Sequence, residues 1–253
     1  MPSPRAPLAL VSLVLIAGAL LLTLFVIIAG GSNKSPPNEF YFLQADTSGI
    51  PGAAPISRWT LWNSCGVTGN RNACPKVHPA YPFDPKNNFG TTTGIPPELM
   101  SANSYYLMTR FMFAFIFIGG FFGACALFLG LLALCSRIGS FLSSATVSVA
   151  LFFQTIVAAL MTASYVKGRN AFLANGKTAT LGKYNFGFMW AAVACYFLAT
   201  ILLCAGGAAS GGGGGRKEKS GSRFGRKKAT RDRGSFIDKE TAVDGDRSSF
   251  TRA

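Results

Sequence analysis

Four long apolar stretches, none carrying Asp, Glu, Lys, Arg or His, constrain this chain more than anything else in it: Leu8 to Gly30, Phe111 to Cys135, Phe141 to Tyr165 and Phe186 to Ala208. Crossing the hydrocarbon layer of a bilayer takes about 20 consecutive apolar residues in a helix. A soluble four-helix bundle would carry polar faces at helical spacing. These stretches are apolar all round, which is the pattern of lipid-facing helices. The expected fold is therefore an all-α membrane protein built on a four-transmembrane-helix bundle. The first stretch exceeds the ~7–15 residues of a secretory h-region and is read as an uncleaved span. The small residues Ala29, Gly30 and Gly31 keep cleavage open as the alternative, which would leave three spans and the same side for the C-terminus.

Charge placement orients the spans. The net charge is +14, and no acidic residue occurs between Glu98 and Glu218. Just past the last span lie Arg216, Lys217, Lys219, Arg223, Arg226, Lys227, Lys228, Arg231 and Arg233, against only Glu218 and Asp232. Cations flanking a span stay cytoplasmic. Both termini are then cytosolic and the organisation follows: a short N-terminus (1–7), span one (8–30), an outer loop (31–109), span two (110–135), an inner turn (136–140), span three (141–165), a second outer loop (166–185), span four (186–208) and a basic tail (209–253). Lys167, Arg169, Lys177 and Lys183 in the second loop pull the other way, but the tail is the denser block. Five consecutive glycines, 211–215, make a flexible linker, and the tail beyond them lacks apolar periodicity and reads as disordered.

The long outer loop holds two of the six cysteines, Cys65 and Cys74; Cys125, Cys135, Cys195 and Cys204 lie in spans or at their ends. Outside the cytosol such a pair oxidises to a disulfide, and Trp62, three residues earlier, can set its ring against the bridge. Residues 39–45 suit a strand, as do Ile56 to Trp62 leading to Cys65, with turns at 47–49 and 51–52. The stretch from 75 to 97, rich in Pro, Asn, Gly and Thr, reads as irregular. The expectation is a small extracellular β-sheet standing on the helices, unstable without its bridge.

Several further signals each carry a plain reading beside a functional one. Gly119 and Gly123 form a GxxxG in span two, which permits close helix approach, within the bundle first and across a dimer seam second. Cys135 and Cys204, near the inner ends of their spans, are juxtamembrane sites for palmitoylation or ordinary small helix residues. The basic block can hold anionic headgroups of the inner leaflet or serve only to fix topology; nucleic acid is set aside because the tail is tethered to a membrane. Ser222, Thr230 and Ser235 sit among those cations, where phosphate would weaken a lipid contact. Asn33-Lys34-Ser35 matches the glycosylation pattern but hugs the membrane. Arg110, opening span two, snorkels to headgroups or bonds to the sheet. Gln154 is read as a packing hydrogen bond. His78, the sole histidine, lacks the companions a zinc site needs. Intramembrane ionisable residues mark transport paths, and the spans contain none. No nucleophile with a base and no phosphate-cradling glycine loop occurs, so neither enzyme activity nor a cofactor is expected.

Leu61-Trp62-x-x-Cys65 with eight residues before Cys74 resembles the claudin superfamily signature, with Thr60 where claudins typically have Gly. Asn38 to Ser48, Tyr105 to Phe111, Leu134 to Ser140 and Met161 to Phe172 resemble, in order, landmarks of the fungal SUR/PalI group of four-span, eisosome-associated plasma-membrane proteins. The resemblance covers roughly residues 8–208 and implies a claudin-like bundle whose stapled outer loop is the recognition surface. It further implies an integral plasma-membrane scaffold for eisosome-type domains, tied to endocytosis and cell-wall integrity. The partners it implies are membrane lipids and other membrane-domain or cortical proteins, homo-oligomers included. A PalI-like accessory role in a pH-sensing complex is the first alternative. A claudin-like channel or regulator of calcium entry, drawing on Glu39, Asp46, Asp84 and Glu98, is the second.

Overall fold

A computed structural model describes residues 5–31, 37–100, 103–133 and 137–209. Four long helices span the apolar stretches: α1 (Arg5–Ile28), α4 (Asn103–Ala133), α5 (Arg137–Ala174) and α6 (Lys183–Ala209). Helix α4 lies along α5 and α1 along α6, while α5–α6 and α1–α4 contacts close the ring. In the most apolar window of each helix only 28–33% of residues are buried within the protein. The remainder, including Val14, Phe121, Phe128 and Phe152, present large apolar side chains outward. In water such a surface would not be tolerated; in lipid it is the solvated face.

At one end of the bundle stands a five-stranded antiparallel sheet. Its strands are β1 (Leu43–Asp46), β2 (Ile56–Trp59), β3 (Ser64–Thr68), β4 (Arg71–Ala73) and β5 (Ala179–Leu181), in the order β4-β3-β2-β1-β5. A short helix, α2 (Pro85–Phe89), breaks the segment expected to be irregular, and a second, α3 (Pro97–Met100), begins at its end. Asp84 caps α2 by accepting from Asn87 N, and Gly90 closes it in the left-handed region at φ 65°. The first strand starts later than expected, because a 3-10 turn occupies Pro37–Glu39. The second stops at Trp59, because residues 60–63 form a tight turn before β3.

The second outer loop, expected over 166–185, is mostly regular structure. Helix α5 runs on to Ala174, and β5 follows as an edge strand on β1. At 1.5 Å per residue, the 38 residues of α5 reach about 57 Å, well beyond the roughly 30 Å hydrocarbon layer. The excess carries Tyr165, Ala171 and Phe172 into the sheet, where they share one core with Phe42, Leu43 and Trp59 of the sheet segments and Phe83 of the long loop. Phe42 stacks on Tyr165 at 4.9 Å between ring centroids, and Trp59 meets Phe83 edge-on at 5.2 Å.

Inside the bundle, buried Gln154 donates to Thr23 Oγ1 of α1 (3.1 Å) and to Met189 Sδ of α6 (3.0 Å). The two glycines of the GxxxG face inward. A Cβ at Gly119 would lie 3.2 Å from Gln154 Oε1, and one at Gly123 would lie 2.2 Å from the Tyr196 hydroxyl and 3.0 Å from Leu20. Gly123 is therefore what lets α4 approach α6 over that phenol. Gly123→Ala should destabilise the solubilised full chain by about 1–3 kcal/mol. Adding Tyr196→Phe should recover part of the loss, since it removes the closest atom and leaves Leu20 in place. Thermal unfolding of the two variants checks this, and equal melting of single and double mutants would contradict it.

Candidate functional site

The conspicuous motif folds into the joint between sheet and bundle. Continuing the β3–β4 register of Gly66↔Ala73 by one pair sets Cys65 opposite Cys74, and the two form a disulfide. The bridge closes a hairpin whose tip is Gly69-Asn70. Just before it, Thr60 organises the turn: its hydroxyl donates to Asn63 O (3.0 Å) and accepts from Trp62 N (3.3 Å) and Asn63 N (3.1 Å). The amide of buried Asn63 donates to Lys76 O (2.6 Å), pinning the chain that leaves Cys74. His78 N and Tyr81 N donate to Trp62 O and Leu61 O, so the segment after the bridge runs back along the turn.

That turn aims Trp62 into the bundle. Its indole N–H donates to Ile27 O, one of the last carbonyls of α1 that have no partner within the helix. Its ring meets Phe113 and Phe117 of α4 edge-on, at 5.4 and 6.5 Å. Trp62 is thus the peg between α1, α4 and the loop. Thr60, where a claudin would have Gly, fits against the left-handed Gly30 (φ 79°); a Cβ there would fall 2.1 Å from the Thr60 hydroxyl. Any side chain at position 30 would collide with the atom that holds the turn.

Arg110 is exposed, with its guanidinium 5.0 Å from the Tyr106 ring one turn earlier on α4. Its neighbour Thr109 makes the bond to the loop instead, accepting from Phe83 N (3.1 Å) while donating to Tyr105 O (2.8 Å). His78 is exposed and tilts toward Tyr81, and no group of three His, Cys, Asp or Glu among the described residues is placed to hold a metal ion. Cys204 is exposed near the end of α6, 3.0 Å from Ser144 Oγ. Cys135 lies outside the described residues, as do the tail cations Arg216 to Arg233 and the tail hydroxyls Ser222, Thr230 and Ser235.

The residue that sequence reasoning passed over is Arg58. It sits mid-strand in β2 between Ser57 and Trp59, and is 95% buried, at 5% exposure. Trp59 points into the shared core, so strand alternation puts Arg58 on the opposite face, paired in register with Gln44 and Cys65. Its Nε donates to Gln44 Oε1 (2.8 Å), Nη1 to Asn70 O and Asn72 Oδ1 (3.0 Å each), and Nη2 to Asn70 Oδ1 (3.4 Å). The Tyr41 ring covers the guanidinium at 4.4 Å. Three of these four acceptors belong to the hairpin that the disulfide closes. Burial pulls the guanidinium pKa down, and the nearby Tyr41 and Glu39 oppose that shift; a guanidinium nonetheless stays charged. Its hydrogen-bond partners are neutral oxygens. The only signal in the sequence is a lone cation inside an Ile-Ser-Arg-Trp strand, which reads equally well as a solvated face.

Comparison with known proteins supports one family throughout. The family model of the SUR7/PalI family matches residues 8–202. Protein SUR7 of Candida albicans is 38% identical over 193 residues, 76% of this chain and 71% of that one. Protein SUR7 of Saccharomyces cerevisiae is 35% identical over 187 residues, 73% of this chain and 62% of that one. A further S. cerevisiae protein, named an uncharacterized plasma membrane protein, is 36% identical over 188 residues, 72% of this chain and 62% of that one. The match thus spans somewhat under two thirds of the length of the two S. cerevisiae relatives.

Three substitutions probe the joint. Cys65→Ser and Cys74→Ser should each cost about 2–3 kcal/mol, the chain-entropy value for so short a loop. The double mutant should be no worse than either single, because both break one bond. Trp62→Phe keeps a ring against Phe113 but loses the donor to Ile27 O, and should cost about 1 kcal/mol. Denaturant titration in detergent measures all four proteins, and additive losses for the two cysteines would contradict the single shared bond.

Proposed function

Because the chain belongs to the SUR7/PalI family, we propose that it is an integral plasma-membrane scaffold that organises eisosome-type membrane domains and through them serves endocytosis and cell-wall and cortex integrity. The observation that carries this reading is the packed centre of the bundle. Ile16, Ile116, Val157, Met161, Met189 and Ala192 are fully buried there, and a channel would line its centre with polar or charged groups around a water path. Such a body acts through its outer surfaces: apolar helix faces toward lipid and neighbours, and a stapled sheet at one end.

The tail cations support a cytosolic C-terminus and, with four spans, a cytosolic N-terminus. The sheet then faces the outside. A disulfide in that sheet is consistent with this orientation, since such bonds persist in oxidising compartments. On the inner side, Arg216 to Arg233 hold anionic headgroups, at about 1 kcal/mol per cation close to the surface. Phosphate on Ser222, Thr230 or Ser235 loosens that hold, and acyl chains on Cys135 and Cys204 add to it. Lateral contacts, with copies of the chain or with other membrane-domain and cortical proteins, complete the scaffold.

Fluorescent tagging of the full chain in fungal cells tests the reading. Stable cortical patches are expected, and a uniform internal-membrane signal in healthy cells would sink it. Changing the nine tail cations to Gln should leave membrane insertion intact and weaken sedimentation of the reconstituted chain with anionic vesicles. Unchanged sedimentation would remove the tail from the account.

A further inference from the structure

Beside the buried Arg58 the sheet has a cavity of about 320 Å³, lined among others by Glu39, Tyr41, Arg58, Thr180, Lys183 and Tyr184. That volume lies at the lower end of small-molecule sites, which run about 300–1,000 Å³. It exceeds what one water or a bare ion needs. The chemistry of the wall is mixed: hydroxyls from Thr180, Tyr41 and Tyr184, two cations and one carboxylate. Charge therefore sums to +1, from Arg58 and Lys183 against Glu39.

Three features point to an anion. Arg58 is buried with its charge unmatched by a carboxylate within ion-pair distance among the described residues. Four of the five N–H donors of a guanidinium are engaged, which leaves one on Nη2 for a further acceptor. A buried cation held only by neutral oxygens is costly unless an anion completes its surroundings. Second, Lys183 opens α6 and lines the cavity together with Gly182 and Tyr184, so the start of the helix, which favours negative charge, borders it. Third, the cavity lies where α6 enters the apolar stretch of 24 residues from Lys183 to Gly206, the level at which phosphate groups of a bilayer sit. Tyr184, 57% exposed at its rim, is the kind of side chain that belongs at that level.

We propose that this cavity binds an anionic phosphate ester, with the phosphate between Lys183 and the free edge of Arg58 and the ester's hydroxyl-bearing part against Glu39 and Thr180. The hairpin closed by Cys65–Cys74 supplies Asn70 and Asn72 to fix the guanidinium, so the disulfide shapes the site without touching the ligand. The inference is independent of the scaffold reading, since it concerns the opposite end of the spans from the basic tail. The ester can come from a lipid headgroup or from a soluble phosphate ester.

The test uses the full chain with its nine tail cations changed to Gln, solubilised in neutral detergent, so that the tail does not compete for the probe. Native mass spectrometry and titration follow binding of short-chain phosphatidylglycerol, short-chain phosphatidylcholine and glycerol phosphate. Arg58→Gln risks the sheet, so the exposed Lys183 and the half-buried Glu39 carry the experiment. Phosphatidylglycerol should bind in preference to phosphatidylcholine. Lys183→Glu should weaken it about tenfold and Glu39→Gln should strengthen it about threefold, as a change of two charges in the first case and of one in the second dictates at short range. Opposite signs are something that loss of fold cannot imitate. Lys86→Glu, on α2 and outside this cavity, should change the affinity less than twofold. Glycerol phosphate binding as well as the lipid assigns the site to soluble esters; binding of the lipid alone assigns it to the bilayer. Equal loss from Lys183→Glu and Lys86→Glu, weakening by Glu39→Gln, or no binding of either anionic probe overturns the proposal.

Discussion

One apolar core belongs to two solvents at once. Phe42 and Trp59 hang from the sheet and its lead-in, Phe83 from the long loop, and Tyr165 and Phe172 from the end of α5, yet all are in contact within a single buried cluster that continues down to Met161 and Ile116. Aromatic side chains bury large area and prefer edge-on or offset packing, and the pairs here follow that preference: Trp59–Phe83 and Phe83–Tyr105 are near perpendicular, and Phe42–Tyr165 is stacked. Because helix α5 overshoots the bilayer, the sheet has something to stand on. Without that overshoot a sheet of three- to five-residue strands would lack the packed face that small sheets need to be stable.

The polar links complete what the aromatic core begins. A membrane helix must satisfy its end groups from nearby protein or from water, and Trp62 does so for Ile27 O while its ring leans on α4. Thr109 performs the matching task for the loop at Phe83. Thr109 is fixed by its own helix, and Trp62 by a turn that the segment following the disulfide-closed hairpin holds in place. The bond between Cys65 and Cys74 is thus two steps from lipid: bridge to hairpin, and the chain leaving Cys74 to the turn that aims Trp62.

Much of this was legible in the sequence, for identifiable reasons. Four uncharged apolar runs permit little except membrane helices, and two cysteines alone in a long loop permit little except a bridge. What escaped was governed by contacts distant in sequence. Lys167 and Arg169 end the apolar run of span three at Tyr165, but charge marks the edge of lipid and not the end of a helix, which continues to Ala174. Strand β5 is Ala179-Thr180-Leu181, too short for a period of two to register. Near Trp62 the sequence shows only the sulfur, and its bond to a helix 35 residues earlier depends on the turn at Thr60. Arg58 was passed over because its acceptors, Asn70 and Asn72, look like ordinary turn residues until the hairpin folds back on β2.

The placement of Arg58 also separates two ways in which a small sheet can be held. A sheet held only by its apolar face would leave its other face to water, and a solvated Lys or Thr at position 58 would serve. Here the second face has its own interior, in which a guanidinium ties β1 through Gln44 and the β3–β4 hairpin through Asn70 and Asn72, while Asn72 ties that hairpin to Phe40 O ahead of β1. Such a polar interior is more demanding in geometry than an apolar one, because each buried donor must find its acceptor or lose free energy. Proteins tolerate that demand where directionality matters. On this sheet the directional face is the one that turns away from the lipid-anchored core, and it is the face that carries the cavity beside Arg58.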